Sequence, residues 1–413
     1  MGDIITPRKK TAPAKQMISG SAAPASEGLV VADLNAQIRA KAVTLPGPGP
    51  QLSMKRVVTN VITDMTRALS HPTHLVAVYD TIDGLDGSSG PRSMPKMRDV
   101  LWSERYARPL APIAPAVQKK VLEYLEAAAA SNVAAALPPP ASYSVLFTPG
   151  PLKMATWKAF MAITRRVGAT LHAQDKIPHF SLVAADHATF STERGNERHE
   201  AAFAQLAREN LGEADLKIYR CAQLLNPKGA LVLKTVDTDV ILQTLATPEP
   251  PARATTFKLA LKDFDVDATR LLQRFGPLPT VRLETVFWWI AAGGTDYCKP
   301  ISDQGYGKKQ LLDLTHPKHA MKALPLFTED AASPFRFRFH PANALKKLQG
   351  LPKTRKVARD HAGKAKKSGR SLSGAVRQVM LSTAYYSLLH THPDPATFMN
   401  TLIMSPKALP LSF

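Results

Sequence analysis

Two aspartates one residue apart, Asp237 and Asp239, follow a run of apolar and β-branched residues that begins at Ala230. This pattern predicts a buried strand that ends in an acidic loop. In open α/β sheets, ligands collect at the carboxyl ends of the strands. Two carboxylates at such a strand end are therefore placed where they can share a metal ion.

Further acids stand at the ends of other predicted elements. Short apolar runs end at Asp33 and at Asp80, which predicts two more strands with an aspartate at the carboxyl end. A single aspartate in such a place is more often a turn residue or a helix cap, so each acid alone is weak evidence. The acids that stand out in this way are Asp33, Asp80, Glu213, Asp215, Asp237, Asp239 and Asp296.

An all-carboxylate group predicts magnesium or manganese as the metal. Both ions bind carboxylate and water oxygens, and the group contains neither a thiol nor a histidine. Two such ions supply an attacking hydroxide and a positive charge beside the departing oxygen of a phosphodiester. The acids therefore predict a two-metal phosphodiester hydrolase.

The elements that position these acids predict an α/β fold. A helix over residues 54–70 joins the strands that end at Asp33 and Asp80, and this βαβ arrangement predicts parallel strands. Further helices are predicted over residues 117–136, 147–166, 212–225 and 284–292. We expect a mostly parallel central sheet flanked by helices, with helical insertions and a basic C-terminal extension.

The composition indicates a polyanionic partner. The chain of 413 residues contains 53 Lys and Arg against 33 Asp and Glu, which gives a net charge of +20. Such a charge attracts nucleic acid, although ribosomal-type packing and anionic membrane binding give a similar balance. Motifs must decide between these partners.

Cysteine content and hydropathy indicate the compartment. Only Cys221 and Cys298 are present, which excludes a disulfide framework and a thiolate-rich zinc site and fits a reducing intracellular compartment. No apolar run approaches the roughly 20 residues of a membrane span, so we expect a soluble protein without a membrane partner. The basic segments are also typical of nuclear import signals.

In order and spacing, the acids resemble those of the 5′ nuclease superfamily, which includes flap endonucleases and 5′→3′ exoribonucleases and has a PIN-like domain. The motifs are V-A-D at 31–33, V-Y-D at 78–80, G-E-A-D at 212–215, V-D-T-D at 236–239 and G-G-T-D-Y-C at 293–298. The resemblance covers residues 28–315. The runs at 147–150, 212–218 and 237–250 are similar to the exoribonuclease branch, whereas G-T-D-Y-C-K-P-I and G-Y-G-K-K are similar to flap endonucleases.

The resemblance implies a metal-dependent 5′ nuclease in which the seven acids hold two magnesium or manganese ions. It implies that basic residues on the helix after the second aspartate steer the scissile phosphate, and the residues at comparable positions are Lys96, Arg98 and Arg105. It also implies a glycine hairpin that grips a DNA backbone, formed by Gly305, Gly307, Lys308 and Lys309. The alternative for these two groups is a solvated helix face and an ordinary helix start. The hairpin favours DNA slightly over RNA.

Two features depart from the family pattern. Asp215 stands where the family has a glutamate, so its metal contact is expected to run through water. The chain between Asp80 and Glu213 is longer than in typical flap endonucleases. This length puts an arch over the active site in doubt.

The resemblance divides the chain into a flexible basic leader at 1–27, a nuclease domain at 28–330 and a basic extension at 331–413. Within the domain we expect a helical insertion at about 111–200 and the DNA-binding hairpin at about 293–315. Two alternatives to a DNA-cleaving enzyme remain: a 5′→3′ exoribonuclease, and a catalytically inactive nucleic-acid-binding or structural protein that kept the fold.

A mixed-charge patch precedes residue 201. Its members are Glu193, Arg194, Glu197, Arg198 and Glu200. Their helical spacing predicts a solvated face. The neighbouring pair His199-Glu200 lacks the second histidine of a zinc-protease motif.

Overall fold

The computed structural model describes most of the chain. The described residues are 4–7, 28–43, 51–80, 113–148, 150–183, 190–193, 195–208, 214–247, 251, 253–276, 278–295, 298–315, 324–331, 333, 336–352 and 371–388. They divide into two compact bodies. The first body contains the described residues of 1–91, 110–240 and 250–271, and the second contains those of 92–109, 241–249 and 272–413.

An eight-stranded sheet forms the centre of the first body. Its strands are β1 (Ile5–Pro7), β2 (Gly28–Asp33), β3 (His74–Val78), β4 (His179–Val183), β5 (Phe190–Ser191), β6 (Ala230–Lys234), β7 (Thr256–Ala260) and β8 (Phe264–Asp267). The spatial order is β1-β8-β7-β6-β2-β3-β4-β5. The five strands from β7 to β4 pair in parallel, and the outer strands pair antiparallel. The runs G-L-V-V-A-D and H-L-V-A-V are buried along their whole length, as expected for strands covered on both faces.

Helices lie between these strands and after the last of them. They are α1 (Leu34–Val43), α2 (Met54–Thr66), α3 (Pro115–Ala130), α4 (Asn132–Ala135), α5 (Tyr143–Leu146), α6 (Pro151–Ala173), α7 (Glu197–Arg208), α8 (Ala214–Leu225), α9 (Asp239–Ala246) and α10 (Ala268–Phe275). One core cluster includes Val58 and Ile62 of α2 and Phe160 of α6 together with Val30 of β2. Burial of these apolar side chains holds the helices against the sheet.

The strand order contains a topological switch. From β2 the chain proceeds to β3 and β4 on one side, whereas β6 and β7 lie on the other side of β2. The carboxyl ends of β2 and β6 are therefore neighbours from which the connecting segments diverge. In open α/β sheets, the crevice at such a point is where ligands bind.

The second body is mainly helical. Its elements include α11 (Pro279–Gly293), α12 (Lys308–Asp313), β9 (Phe327–Glu329), β10 (Phe337–Phe339), α13 (Pro341–Gln349) and α14 (Leu372–Leu388). The apolar helix α11 contacts α14, and the fully buried Tyr385 and Tyr386 belong to α14. The side chain of Lys347 in α13 is buried and lies 2.5 Å from the Glu284 carboxylate in α11.

The prediction of an α/β fold with a mostly parallel central sheet is confirmed. The strands ending at Asp33 and near Asp80, and the helices over 54–70, 117–136 and 212–225, have close counterparts. Strands β7 and β8 and helix α10 have no counterpart among the predicted elements. The predicted insertion at 111–200 contains β4 and β5 of the sheet, and the predicted extension contains the buried helix α14. No helix among the described residues is long and apolar enough to cross a membrane.

Candidate active site

Asp33 is the centre of the candidate site. It is the last residue of β2 and is only 5% exposed. Its Oδ1 accepts a hydrogen bond from the backbone N–H of Ala36 at 3.0 Å, so the carboxylate caps the first turn of α1. Its Oδ2 accepts one from the hydroxyl of Thr235 at 3.3 Å.

Asp80 lies just beyond the neighbouring strand β3. Its backbone N–H donates to Oδ1 of Asn35 at 2.9 Å, which ties the segment after β3 to the start of α1. Its own Oδ1 accepts from the backbone N–H of Ala214 at 2.8 Å. Because Ala214 is the first residue of α8, this bond holds the start of α8 beside the end of β3.

Asp237 follows β6 on the other side of β2. Its backbone N–H donates to Oγ1 of Thr235 at 3.1 Å, and its Oδ1 accepts from the N–H of Asp239 at 2.9 Å. The second bond closes a turn at the start of α9. Thr235 is fully buried and contacts both Asp33 and Asp237, so it fixes the distance between the two acids.

Electrostatic repulsion from Asp80 and Asp237 acts on the carboxylate of Asp33. Burial, followed by the negative charges of Asp80 and Asp237, raises the pKa of Asp33 from its ordinary 3.8 to about 7. The hydrogen bonds from Ala36 and Thr235 act in the opposite direction but do not cancel this rise. The edge of the sheet therefore places the buried Asp33 beside the negative charges of two partly exposed acids.

Helix capping accounts for one oxygen of each acid, as expected for strand-end aspartates. It does not account for three acids placed where their charges repel, a placement that costs stability. A divalent cation would remove this repulsion, and carboxylate oxygens are the ligands that magnesium prefers. Among the described residues, however, the group whose ligand atoms lie within 4.8 Å of one another is a different one, described below.

Only part of the predicted site falls within the described residues. The backbone of Asp215 is in the first turn of α8, beside the Ala214 N–H that bonds Asp80, but its side chain is outside the description. Asp239 begins α9 next to Asp237. The predicted residues that lie outside the described part of the chain are Glu213, Asp296, Lys96, Arg98 and Arg105.

The predicted glycine hairpin is in the second body. Gly305 has a φ of 96°, a backbone conformation that favours glycine, and it ends a short 3₁₀ helix. Gly307 then caps α12, and its N–H donates to the Gln310 side chain at 3.2 Å. Lys308 and Lys309 are exposed at the start of α12. This geometry is that of an ordinary helix start, and DNA binding by it remains a prediction.

Three residues that the sequence interpretation missed complete the first body's site. Asn35 and Thr235 orient the acids through the hydrogen bonds described above. Lys217 in α8 is buried, and its ammonium group donates to the backbone carbonyl of Tyr79 at 3.0 Å. In the sequence, Lys217 comes four residues after Glu213, a spacing that is typical of one helix face.

A separate group at the amino end of β3 is also able to hold a metal ion. One ligand atom each from His74, Glu193 and His199 lies within 4.8 Å of the others. The interpretation of Glu193 as part of a solvated face missed this cluster.

Comparison with known proteins adds no further assignment. No family model matches this chain, and no curated protein matches it significantly.

Proposed function

We propose that this protein is a divalent-metal-dependent 5′ nuclease that hydrolyses phosphodiester bonds in DNA, as a flap or structure-specific endonuclease or a 5′ exonuclease. The observation that carries the proposal is the placement of Asp33, Asp80 and Asp237 at the carboxyl ends of three adjacent parallel strands, where burial and the charges of the other two acids raise the pKa of Asp33 to about 7. Strongly perturbed carboxylates in a crevice are typical of catalytic sites.

In this proposal the acids hold magnesium or manganese, with two ions expected when the acids outside the described residues contribute. Such ions would supply a nucleophile at neutral pH and charge compensation for the leaving oxygen. Asp33 must lose its proton to bind, so the raised pKa means that metal and proton compete for it. Asn35 and Thr235 keep the acids in place during this exchange.

The arrangement of strands supports the PIN-like part of the proposal. Acids that are far apart in the sequence meet at the switch between β2 and β6, in the order that the resemblance implies. The hydrogen bond from the Ala214 N–H to Asp80 places the start of α8 at the same edge. The adjacency of these strand ends follows from the strand order and is independent of the sequence motifs.

Nucleic acid is the substrate that the charge supports. The net charge of +20 favours a polyanion, and the exposed Lys308 and Lys309 offer phosphate contacts at the start of α12. DNA is favoured because a glycine-punctuated segment precedes these lysines. RNA remains the alternative substrate.

The test is magnesium-dependent cleavage of three 5′-labelled substrates: a DNA flap, a DNA duplex and a 5′-phosphorylated single-stranded RNA. We expect release at the flap junction or from the DNA end, and loss of cleavage in the Asp237→Asn/Asp239→Asn variant. Asp263→Asn, at an exposed turn of the first body, is the matched control and should cleave like the parent.

Each other result has a defined meaning. Stepwise release from RNA alone would replace DNA by RNA as the substrate. Cleavage that the Asp237→Asn/Asp239→Asn variant retains would contradict the proposed site. Tight binding of the substrates without cleavage would favour a non-catalytic nucleic-acid-binding protein.

A further inference from the structure

A cluster of histidines lies at the end of the sheet opposite to the acids. His74 begins β3, whereas Asp80 follows its carboxyl end. The two residues are six positions apart along extended chain, which corresponds to about 20 Å. The cluster is therefore distinct from the candidate active site.

Two side chains from another part of the first body join His74. Glu193 follows β5, and His199 is in the first turn of α7. The Glu193 Oε2 atom lies 2.6 Å from Nδ1 of His199 and 3.2 Å from Nδ1 of His74. One carboxylate oxygen is thus shared between two imidazoles.

The hydrogen bonds around His74 determine which ring nitrogen carries its proton. Nε2 of His74 lies 2.7 Å from the hydroxyl of Ser181, and this hydroxyl donates to Ser191 at 2.8 Å. Ser181 therefore accepts from His74, so Nε2 carries the proton and Nδ1 carries a lone pair.

This lone pair faces an electron-rich atom. Nδ1 of His74 is buried and has no hydrogen-bond partner, although Oε2 of Glu193 is 3.2 Å away. With its proton on Nε2, the ring does not relieve the repulsion between the two atoms by donating from Nδ1. A cation between them would relieve it.

The carboxylate is oriented for the same position. Oε1 of Glu193 accepts from the side-chain amide of Asn196 at 3.0 Å, which leaves Oε2 directed at the histidines. The side-chain Oδ1 of Asn196 in turn accepts a hydrogen bond from the backbone N–H of His199 at 3.2 Å. The side chains of Glu193 and His199 are 20% and 16% exposed, so an ion can reach the cluster from solvent.

We propose that His74, Glu193 and His199 form a binding site for a zinc ion. Two imidazoles and one carboxylate with water in the fourth position are a ligand set that zinc uses, and hard cations such as magnesium prefer all-oxygen sets. The ion would join the amino end of β3 to the segment after β5 and to α7. Its role would be to fix α7 on the sheet.

The test uses the full chain, stripped of metal with a chelator and titrated with zinc alone by calorimetry. We expect one zinc ion per chain at this site, with affinity at least about tenfold weaker in His199→Ala and in Glu193→Gln. Both positions are partly exposed, so these variants should fold, which circular dichroism checks. His71→Ala removes an exposed histidine of the same body and should bind zinc like the parent.

A background of Asp33→Asn/Asp237→Asn separates this site from the acids. The proposal predicts that the Asp33→Asn/Asp237→Asn variant still binds zinc at the histidine cluster and that zinc raises the Tm of this variant. Unchanged zinc affinity in both His199→Ala and Glu193→Gln would overturn the proposal, and so would zinc binding that disappears in the background variant.

Discussion

Replacing Asp33 by asparagine should change the stability of the first body in a way that depends on pH. The folded-state pKa of about 7 lies above the ordinary value of 3.8, so the protonated form is the one that favours folding. The stabilising effect of protonation is fully present below 3.8 and is lost as the pH rises through about 7. Asparagine cannot ionise and keeps an acceptor for the Ala36 N–H.

The magnitude follows from the pKa shift. When the pH rises from 5 to above 7, the free energy of unfolding of the parent should fall by on the order of 3 kcal/mol relative to that of the Asp33→Asn variant. This value corresponds to about 1.4 kcal/mol per pH unit. The lost hydrogen bond from Thr235 costs the variant about 1 kcal/mol at every pH and does not change this difference. Above pH 7 and without metal, the variant should therefore be the more stable protein.

Hydrogen exchange of peptides that contain β2 measures this difference. Parent and variant are compared at the same pH, in chelator, at pH 5 and pH 8. The protection of the variant relative to the parent should grow roughly a hundredfold between the two conditions. Asp263→Asn serves as the control and should show no such growth. A ratio that stays constant, or a variant that is less stable than the parent at pH 8, would refute the argument that the buried Asp33 is repelled by neighbouring carboxylates at this edge.

Three further predictions concern the second body and the charge of the chain. Gly294→Ala should destabilise the second body by about 1–3 kcal/mol in thermal unfolding, because Gly294 has a φ of 74° and a ψ of 178°. Gly293→Ala is the control and should not destabilise it, because a Cβ atom at Gly293 meets open space. Lys347→Met should cost about 3–5 kcal/mol because it leaves Glu284 unpaired, and the double variant with Glu284→Leu should recover most of this in urea unfolding. Replacing three lysines of the basic run 353–370 by glutamine should make the slope of log K for DNA binding against log salt concentration less steep, by up to roughly 0.9 per lost phosphate contact. An unchanged slope would exclude this run from the interface.

The sequence allowed the strand ends of the first body to be predicted well. Strongly apolar, β-branched runs that stop at Asp33 and Asp80 have few alternatives, and the helix between them imposes parallel pairing. Their meeting with Asp237 follows from this topology, because parallel neighbours bring their carboxyl ends together. The sequence pattern does not determine how deeply Asp33 is buried, and this burial is the main cause of its raised pKa.

The parts that sequence missed depend on contacts between distant segments. Asn35 and Thr235 are ordinary polar residues until the fold places them against the acids. The cluster of His74, Glu193 and His199 joins residues that are more than a hundred positions apart, and Glu193 comes from a segment whose charge pattern predicts a solvated face. Periodicity describes one element at a time and carries no information about such partners.

The most direct test of the central claim is the magnesium dependence of single-turnover cleavage of a 5′-labelled DNA flap by the parent and by Asp80→Asn. The account predicts a rate that rises with magnesium in the parent and falls at least about a hundredfold in the variant, since a lost metal ligand removes roughly 3 kcal/mol of transition-state stabilisation. Asp263→Asn should match the parent. Equal rates for parent and Asp80→Asn at every magnesium concentration would contradict the claim that the acids at this edge hold the catalytic metal.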